Sequence, residues 1–484
     1  MNVNFTDLLS ATAQRHGDRP ALVDGDRRLT WAELDAAVDA AAQGFSAAGL
    51  VPGYRVVLLM ANSVGFVTSY LGCLRAGLVA VPLNTGLTAP EVAGVIAHSG
   101  ARLAVTDGDL AEKVRGTGVR VVRAGELSGA APVVPQADPE SLAVLLYTSG
   151  TSGDPRAAML THRALLANVE HLVALGDHRM GPDDVVLGVL PFFHAFGLNA
   201  VLGWACASGA AIVLQPRFDS TQTLELVRRE GVTRLPLAPP ALVALLARPD
   251  LREALAKVKV VLTGASALDR SIADRFERET GLFVHQGYGL TEAAPGVTTT
   301  LGEGDPAPGS VGRPLPGVEV RIADEDGEDV EGDDPGEVLI RGANLFSGYW
   351  PDGEGGPDEN GWYRTGDVGY LDNSGDLFLV DRLRELIIVS GFNVFPVEVE
   401  EVLVSAPGVR EAAVIGVPSD ETGEAVKAFV VPAVGAAVTK DEVLAFAATR
   451  LAKFKCPVEL EIVDHLPHSV TGKVAKGQLR GSGR

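Results

Sequence analysis

The sequence is poor in cysteine and shows no secretory leader at its start. It contains three cysteines, Cys73, Cys206 and Cys456, which lie far apart. This number and spacing predict neither a disulfide framework nor a metal site. The first residues, MNVNFTDLLSATAQRHGD, lack the basic start and apolar stretch of a signal peptide. Both absences favour a reducing compartment, and we expect a cytoplasmic protein.

Positive charge is also scarce. The sequence has 41 Lys and Arg residues against 62 Asp and Glu residues, which gives a formal net charge of −21. Such a balance argues against nucleic acid or an anionic membrane as the main partner. An anionic substrate stays compatible with it if positive charge is gathered locally.

The chain lacks a long uninterrupted apolar run. The stretch from Val185 to Pro216 carries no Asp, Glu, Lys or Arg, but prolines, glycines and polar residues interrupt it. A strand, a buried helix and a second strand explain this pattern better than a membrane-spanning helix does. We therefore expect no transmembrane segment.

What is present is typical of a globular α/β protein. The 484 residues, 46% hydrophobic and 21% charged, can bury a sizeable core. The capping box Thr30–Glu33 predicts a helix start, Arg55–Ala61 predicts a buried strand, and Ser63–Arg75 predicts a helix. Strands and helices continue to alternate, which indicates largely parallel sheets.

The pattern changes near Gly317, where short strands separated by Gly, Asp and Pro predict a small barrel-like part. The acidic tract from Asp324 to Asp334 lacks a fixed ligand spacing, so a solvated turn is favoured over a metal site. A compact α+β segment then completes the chain. We predict a large N-terminal domain of α/β sheets with the barrel-like part (1–381), a hinge (382–384) and a small mobile C-terminal domain (385–484).

The stretch from Tyr147 to Met159, YTSGTSGDPRAAM, follows an apolar run that predicts a strand. Its glycines allow the backbone to fold back and expose N–H groups, and its hydroxyls with Arg156 add donors for phosphate oxygens. Composition alone favours an ordinary surface turn. The choice between the two depends on the rest of the chain.

Three further stretches carry groups suited to a nucleotide. Gln286–Glu292 follows a predicted strand and offers an aromatic ring, a hydroxyl and a carboxylate within five residues. Tyr363–Asp367 offers a carboxylate after a predicted tight turn, and Lys473 lies on a Gly-containing turn. Each alone is an ordinary packing or solvent feature.

Together, in this order, the stretches resemble the adenylate-forming enzymes, the superfamily of acyl-CoA synthetases, luciferases and adenylation domains. Bacterial fatty acyl-CoA synthetases are particularly similar. The resemblance covers nearly the whole chain. Its landmarks are YTSGTSGDPRAAMLTH (147–162), LPFFHAFG (190–197), GASAL (264–268), QGYGLTE (286–292), YRTGD (363–367), DRLRELIIVSGFNVFPVEVE (381–400) and TGK (471–473). A Walker-type nucleotide loop is the rival, but GxxxxGK[ST] does not occur.

The resemblance implies a reaction in two steps. A carboxylic acid and ATP give an acyl-adenylate and pyrophosphate, and the acyl group then passes to a thiol, commonly that of coenzyme A. Lys473 would lie between the carboxylate and the α-phosphate, Thr291 would bind the α-phosphate, and Glu292 would bind Mg²⁺. The remaining implied ATP and AMP contacts are Thr148, Ser149, Gly150, Thr151, Ser152, Gly153, Arg156, Gly264, Ala265, Ser266, Gly287, Tyr288, Gly289, Asp367 and Arg382.

The family's second step requires the small domain to rotate. By resemblance Arg384 is the hinge residue, and Ser390, Gly391 and Phe392 line the coenzyme A channel, where glycine permits close approach of the pantetheine arm. The expected partners are therefore the acid, ATP and coenzyme A, with a homodimer left open.

The resemblance also indicates an acyl pocket around Phe192, His194, Phe196 and Ala293. For His194 a buried core histidine is an equal alternative. Relatives specific for malonate are expected to carry a cation beside the Tyr-Gly-x-Thr-Glu motif, and this chain has His285-Gln286-Gly287 there. A medium- or long-chain fatty acid is therefore favoured, with an aryl acid as the alternative.

Other activities stay open at this point. A fatty acyl-AMP ligase that loads a carrier protein would carry an added segment, for which the stretch from Leu345 to Asp367 is too short. A nonribosomal-type adenylation domain would normally lie beside a carrier domain. A non-catalytic acyl or nucleotide binder would retain the fold but lack a needed charge.

The phosphate loop departs from the family pattern TSGTTGxPKG. Ser152, Arg156 and Ala157 stand at the second Thr, the Lys and the last Gly. Arg156 replaces a compact ammonium by a planar guanidinium. Ala157 lacks the freedom of glycine, and we expect it to stiffen the loop.

Overall fold

The structure is a computed structural model. It describes the chain apart from residues 1–2, 128, 130, 134–137, 149–155, 177, 267, 303–305, 325, 331–333, 383–384, 390–391, 420–421, 469–473 and 482–484. The chain packs as two compact units, Met1–Glu319 with Ile340–Tyr363 and Val320–Leu339 with Arg364–Arg484. The domain division inferred above, with its hinge at 382–384, stays a prediction.

The strands and helices are numbered separately along the chain. The helices are α1 (Asp7–His16), α2 (Trp31–Ala47), α3 (Val64–Arg75), α4 (Ala89–Ser99), α5 (His162–Val173), α6 (Trp204–Ser208), α7 (Ser220–Glu230), α8 (Pro239–Leu246), α9 (Leu251–Ala254), α10 (Arg270–Thr280), α11 (Pro396–Val404), α12 (Lys440–Ala448) and α13 (Lys476–Gly481). Additional turns are the 3₁₀ segments Gly108–Val114, Thr291–Ala293 and Lys453–Lys455 and the π-helical segment Phe196–Gly203.

The strands are β1 (Pro20–Asp24), β2 (Arg27–Thr30), β3 (Arg55–Leu59), β4 (Val79–Pro82), β5 (Leu103–Thr106), β6 (Arg120–Arg123), β7 (Leu142–Thr148), β8 (Arg156–Thr161), β9 (Val185–Gly188), β10 (Ala211–Leu214), β11 (Arg234–Leu237), β12 (Val260–Thr263), β13 (Val284–Gly289), β14 (Gly296–Thr299), β15 (Arg313–Pro314), β16 (Val318–Ala323), β17 (Gly336–Gly342), β18 (Tyr363–Leu371), β19 (Leu377–Arg382), β20 (Ile387–Val389), β21 (Phe392–Val394), β22 (Val409–Ser419), β23 (Gly423–Pro432) and β24 (Glu459–Ile462).

The first unit contains two sheets of mainly parallel strands, as the alternating pattern predicted. One has the order β15-β14-β13-β12-β11-β9-β10-β1-β2, and the other has the order β6-β5-β3-β4-β7-β8. The predicted capping box starts α2, since Thr30 Oγ1 accepts from Glu33 N at 3.2 Å and Thr30 N donates to Glu33 Oε2 at 2.8 Å. Buried side chains from strands and flanking helices form separate cores against each sheet.

The apolar stretch from Val185 to Pro216 has the predicted form. It comprises β9, the π-helical segment with α6, and β10. No helix in the described part of the chain is long and apolar enough to cross a membrane.

The second unit contains two sheets, in the orders β16-β17-β18-β19 and β21-β20-β23-β22 with β24 beside β23. The sequence predicts a helix over Asp441–Lys455, but α12 begins at Lys440 and ends at Ala448, so this prediction is wrong in its length. There the Thr449 hydroxyl donates to Phe446 O at 2.8 Å and Arg450 N donates to Ala447 O at 2.9 Å. These bonds tighten and close the last turn.

We predict that His162 makes the stability of the first unit depend on pH. His162 is 1% exposed, its Nδ1 accepts from Phe5 N at 3.1 Å, and burial lowers its pKa to about 4. The unfolded chain therefore binds more protons between pH 6.5 and 4. Stability is fully present above pH 6.5 and falls toward pH 4, by at most about 1.4 kcal/mol per unit from this residue.

The measurement is urea unfolding followed by tryptophan fluorescence from pH 7 to pH 4.5, because all four tryptophans lie in the first unit. A His162→Asn variant keeps an acceptor and should flatten the pH dependence. His16→Asn, which changes a partly exposed histidine of the same unit, should not. Equal slopes for wild type and His162→Asn would contradict this prediction.

Candidate active site

Several predicted site residues follow strands that end at one edge of the nine-stranded sheet. Strands β9, β11, β12 and β13 run parallel in this order. Their carboxyl ends lead into residues 189–195, 238, 264–266 and 290–292. This edge of an open α/β sheet is where ligands bind.

The QGYG segment is part of a strand, which corrects the prediction that it follows one. Strand β13 continues to Gly289 because it pairs with the antiparallel strand β14, with Gly287 opposite Thr299 and Tyr288 opposite Thr298. Tyr288 is buried. A Cβ atom on Gly289 would lie 2.2 Å from Pro295 O, so this close approach requires glycine.

Two predicted nucleotide contacts, Gly264 and Gly287, lie next to the predicted acyl-pocket residue Phe196. A Cβ atom on Gly264 would lie 3.0 Å from Gly287 O and 3.3 Å from Phe196 Cε1. Ala265 has φ of 69°, a left-handed conformation that a non-glycine residue adopts at some cost in energy. The structure therefore brings Gly264, Gly287 and Phe196 together at the sheet edge.

Thr291 and Glu292 lie on the short 3₁₀ turn after β13. Phe346 N donates to Glu292 O at 2.8 Å, and the Tyr349 hydroxyl donates to Glu292 Oε1 at 2.6 Å. Burial and the Glu292 carboxylate raise the pKa of Tyr349, so its hydroxyl stays protonated. The Glu292 carboxylate is partly exposed and keeps its second oxygen for another ligand.

This carboxylate fits Mg²⁺ bound together with a nucleotide. Magnesium is commonly held by one or two carboxylates plus substrate phosphates rather than by an all-protein cage. No group of three His, Cys, Asp or Glu residues in the described ranges is placed to hold a metal ion by itself. That observation includes the described part of the acidic tract.

The phosphate loop is closed at its base by a hairpin. Strands β7 and β8 are antiparallel, and Thr148 is paired with Arg156. The residues assigned to the loop itself, Ser149, Gly150, Thr151, Ser152 and Gly153, lie outside the described residues. The structure thus places the two ends of the predicted loop beside each other.

Ala157 belongs to strand β8 rather than to a glycine-dependent turn. It is fully buried, pairs with Tyr147, and its carbonyl accepts from Trp350 N at 2.9 Å. Extended backbone does not need the freedom of glycine. The expected stiffening of the loop by Ala157 therefore has no support in the backbone of the strand.

The aromatic segment contributes residues of two kinds. Phe192 is fully buried and packs on Phe66 at 5.6 Å between ring centroids, and its assignment to the acyl pocket stays a prediction. Ala293 is also fully buried. Burial lowers the pKa of His194 to about 4, and its Nε2 atom has no hydrogen-bond partner among the described residues.

In the second unit Asp367 lies within strand β18, which corrects the prediction of a tight turn before it. Gly366 has φ of 72°, and its N–H donates to Glu337 Oε1 at 3.1 Å. Asp367 is buried and is the cross-strand partner of Arg382 on β19. Two of the implied nucleotide contacts, Asp367 and Arg382, therefore share one antiparallel pair, although only the backbone of Arg382 is described.

The remaining predictions concern the hinge residue, the coenzyme A channel and the lysine assigned to the adenylation step. Arg384, Ser390, Gly391 and Lys473 lie outside the described residues, and Phe392 is described only as part of β21. Their assigned roles stay predictions.

Three residues that support the site were not identified from the sequence. Asn344 Nδ2 donates to Ala293 O at 2.8 Å, Asn199 Nδ2 donates to Ala294 O at 2.6 Å, and Tyr349 binds Glu292. The two asparagines hold the turn after Glu292. The two asparagines belong to no sequence motif. For Tyr349, the one feature that could have indicated a role is the aromatic pair Tyr349-Trp350 in a glycine-rich segment.

Comparison with known proteins identifies the family. The profile of the AMP-binding enzymes matches residues 9–350, and that of their C-terminal domain matches residues 398–473. A feruloyl-CoA synthase of an Amycolatopsis species is 38% identical over 97% of this chain and 95% of its own length. A long-chain-fatty-acid–CoA ligase of Bacillus subtilis is 39% identical over 72% of this chain and 63% of its own length.

Solved structures agree. The ATP-bound crystal structure of MatB from Rhodopseudomonas palustris is 33% identical, covers 100% of this chain and 99% of its own, and superposes with a TM-score of 0.92. The chain belongs to the AMP-binding, adenylate-forming enzyme family, which confirms the resemblance. It is an AMP-forming acid–thiol ligase.

We predict that His194 influences binding of the acid and does not stabilise the fold. Replacing His194 by Phe removes a buried nitrogen that has no partner, so the melting temperature should stay the same or rise. If the ring faces the acyl group, the KM for the acid should change several-fold while the KM for ATP stays constant. Phe192→Leu, a core change, should lower the melting temperature instead; a fall in melting temperature for His194→Phe with unchanged KM would favour the core alternative.

Proposed function

We propose that the protein is an ATP-dependent coenzyme A ligase for a compact aryl acid of the hydroxycinnamate type. ATP, Mg²⁺ and coenzyme A are its co-substrates. Relatives named feruloyl-CoA synthase and 4-coumarate–CoA ligase, 38% and 36% identical, support an aryl substrate. This reverses the order suggested by the sequence, in which a fatty acid was favoured and an aryl acid was the alternative.

A small cavity carries the proposal. It measures about 20 Å³. Its walls are apolar apart from Arg234 and the indole of Trp204, and consist of Met180, Val186, Ala200, Val201, Trp204, Arg234, Leu235, Pro236, Val260, Leu262 and Leu301. A volume of this size admits about one water-sized group. It suits the end of a ring substituent better than a run of methylenes.

Two of the elements that line the cavity also carry or lead into predicted site residues. Ala200 lies about one turn after Phe196 on the π-helical segment, and Leu262 lies on β12, two residues before Gly264. Because Phe196 and Gly264 are neighbours, we infer that the cavity lies beyond them, further from the sheet edge. An acid entering from the sheet edge would direct its far end toward this space.

One residue that lines the cavity, Trp204, has a buried donor. Trp204 is 2% exposed, and its Nε1 atom has no hydrogen-bond partner among the described residues. A buried donor without a partner costs about 1–3 kcal/mol, which an oxygen on the far end of the acid would offset. Arg234, the charged neighbour, is held by Asp184 at 3.0 Å and by two backbone carbonyls. A hydroxyl or carbonyl oxygen is therefore favoured over an anion.

A medium- or long-chain fatty acid is the second candidate. Most of the cavity wall is hydrocarbon, and the Bacillus subtilis relative is named as a long-chain-fatty-acid ligase. This candidate requires the cavity to widen when the acid binds.

In the proposed mechanism the chain holds two anions together. Mg²⁺ would be held by Glu292 with the ATP phosphates and would neutralise phosphate charge. Thr148 and the loop after it would bind the phosphates, Asp367 the ribose, and Lys473 would reduce the repulsion between carboxylate and α-phosphate. Arg384 would act as the hinge that presents Ser390–Phe392 to coenzyme A.

The acid is tested with a matched panel. Cinnamate, 4-hydroxycinnamate, feruloyl-type acids and C8 to C16 fatty acids are assayed for AMP release with ATP, Mg²⁺ and coenzyme A. We expect the hydroxylated aryl acids to show the highest kcat/KM. The Trp204→Phe variant keeps a ring without the N–H and should reduce the preference for 4-hydroxycinnamate over cinnamate by about 5- to 10-fold, the effect of one hydrogen bond. Higher kcat/KM for the fatty acids would exclude the aryl proposal.

We predict that Lys473→Ala lowers acyl-adenylate formation by at least about 100-fold, as expected for loss of a charge at the reacting anions. Thioester formation from preformed acyl-adenylate should persist, because Lys473 is not needed in that step. Pyrophosphate release and thioester formation are measured separately, with the exposed Lys440→Ala as the control. Equal loss in both steps would contradict the assigned role.

A further inference from the structure

Tyr349 connects the phosphate-loop cation to the carboxylate assigned to Mg²⁺. Its segment lies against strand β8: Ser347 N donates to Met159 O, Met159 N donates to Gly348 O, and Trp350 N donates to Ala157 O, at 2.9–3.0 Å. Tyr349 itself forms a bridge with Ala158. Its position is thus fixed from the backbone relative to the strand that begins at Arg156.

Besides its contacts with Phe346 and with the Tyr363 hydroxyl at 3.4 Å, the tyrosine contacts Arg156 and Glu292 in two different ways. The Arg156 guanidinium carbon lies 4.0 Å from the centroid of the Tyr349 ring. The Tyr349 hydroxyl donates to Glu292 Oε1 at 2.6 Å, and no other described residue donates to that carboxylate. The first is a cation–π contact and the second is a short hydrogen bond to an ionised acceptor.

Both contacts affect the carboxylate. A free glutamate side chain has several rotamers, and a single strong donor selects among them. With Oε1 bound to tyrosine, Oε2 is directed elsewhere and stays available for an ion. A cation on the ring face withdraws electron density from the phenol and makes its hydroxyl a stronger donor.

We propose that Tyr349 is a positioning residue that orients Glu292 for Mg²⁺–ATP, and that Arg156 acts on the metal site through the tyrosine ring. This inference rests on the proposed binding of Mg²⁺–ATP by Glu292. It also gives the arginine in the phosphate loop a specific consequence: a planar guanidinium stacks on an aromatic face in a way that a lysine ammonium does not.

The tyrosine is not explained as an ordinary core residue. Tyr349 is only partly buried, and Arg156 is exposed. Its ring lies 5.0 Å from that of Phe346, a contact that Phe would preserve. A Tyr349→Phe substitution therefore removes the hydroxyl while keeping the ring, its packing and the arginine contact.

The test measures metal binding directly. Mn²⁺ binding to the full-length protein with a non-hydrolysable ATP analogue is followed by electron paramagnetic resonance, beside analogue binding without metal. Tyr349→Phe should weaken Mn²⁺ affinity by about 10- to 100-fold, as loss of a partner that orients a metal ligand does. Analogue affinity without metal and the melting temperature should stay unchanged.

The coupling is tested by a double-mutant cycle. Arg156→Lys should weaken Mn²⁺ affinity by a smaller factor than Tyr349→Phe, and it should have no further effect in the Tyr349→Phe background. Additive effects would show that Arg156 acts independently of the ring. The control is Tyr54→Phe, because Tyr54 also carries an arginine on its ring, Arg102 at 5.4 Å, but lies outside the site.

The outcomes separate this inference from the proposed function. If Glu292→Gln abolishes Mn²⁺ binding and Tyr349→Phe binds like wild type, Tyr349 does not position the carboxylate, although Mg²⁺–ATP binding by Glu292 stands. An equal loss of analogue affinity with and without metal in Tyr349→Phe would assign the tyrosine a merely structural role and overturn the inference. If Glu292→Gln binds Mn²⁺ as wild type does, the metal assignment itself fails.

Discussion

The pairing of Ser347–Trp350 with strand β8 brings together segments that are far apart in the sequence. Three backbone hydrogen bonds of 2.9–3.0 Å hold this segment to Ala157 and Met159. From there the Tyr349 side chain reaches Glu292, and Phe346 N holds the backbone of the same residue. The base of the phosphate loop and the turn after β13 therefore have a fixed separation before any ligand binds. Such preorganisation favours a reaction in which groups must be placed accurately against developing charge.

The site also requires two backbone segments to approach closely at the carboxyl end of β13. The end of β13 contacts the turn at Ala294–Pro295 so closely that Gly289 could not carry a side chain. Asn199 and Asn344 then occupy carbonyls of that turn which neighbouring strands leave free. Because each asparagine is buried and bonds two carbonyls, it replaces backbone hydrogen bonds that an irregular turn cannot form. The turn that carries Thr291 and Glu292 is rigid for these local reasons.

Local signals in the sequence were sufficient for much of the fold. The Thr30–Glu33 box, the β-strand over Arg55–Leu59 and the interrupted apolar stretch from Val185 are defined by residues within one or two turns of each other. The errors arise where distant pairing decides. Strand β13 extends through QGYG because β14 pairs with it, and Tyr363–Asp367 belongs to β18, which lies between β17 and β19 in its sheet. Tyr349 could not be identified for the same reason: its importance depends on contacts with Arg156 and Glu292, residues separated from it by long stretches of chain.

The electrostatics of the acyl side point to recognition by shape rather than by charge. Burial holds the pKa values of His194 and His285 at about 4, so both are neutral near pH 7. Arg234, buried nearby, is already paired with Asp184. A second carboxylate on the substrate would thus meet no available cation among these residues, whereas an apolar ring would lose little by leaving water. Under the proposed function, discrimination would depend on the size of the small cavity and on the Trp204 N–H, which has no partner among the described residues. A buried donor rejects a substrate lacking an oxygen at that position more strongly than an apolar wall rejects an extra methylene.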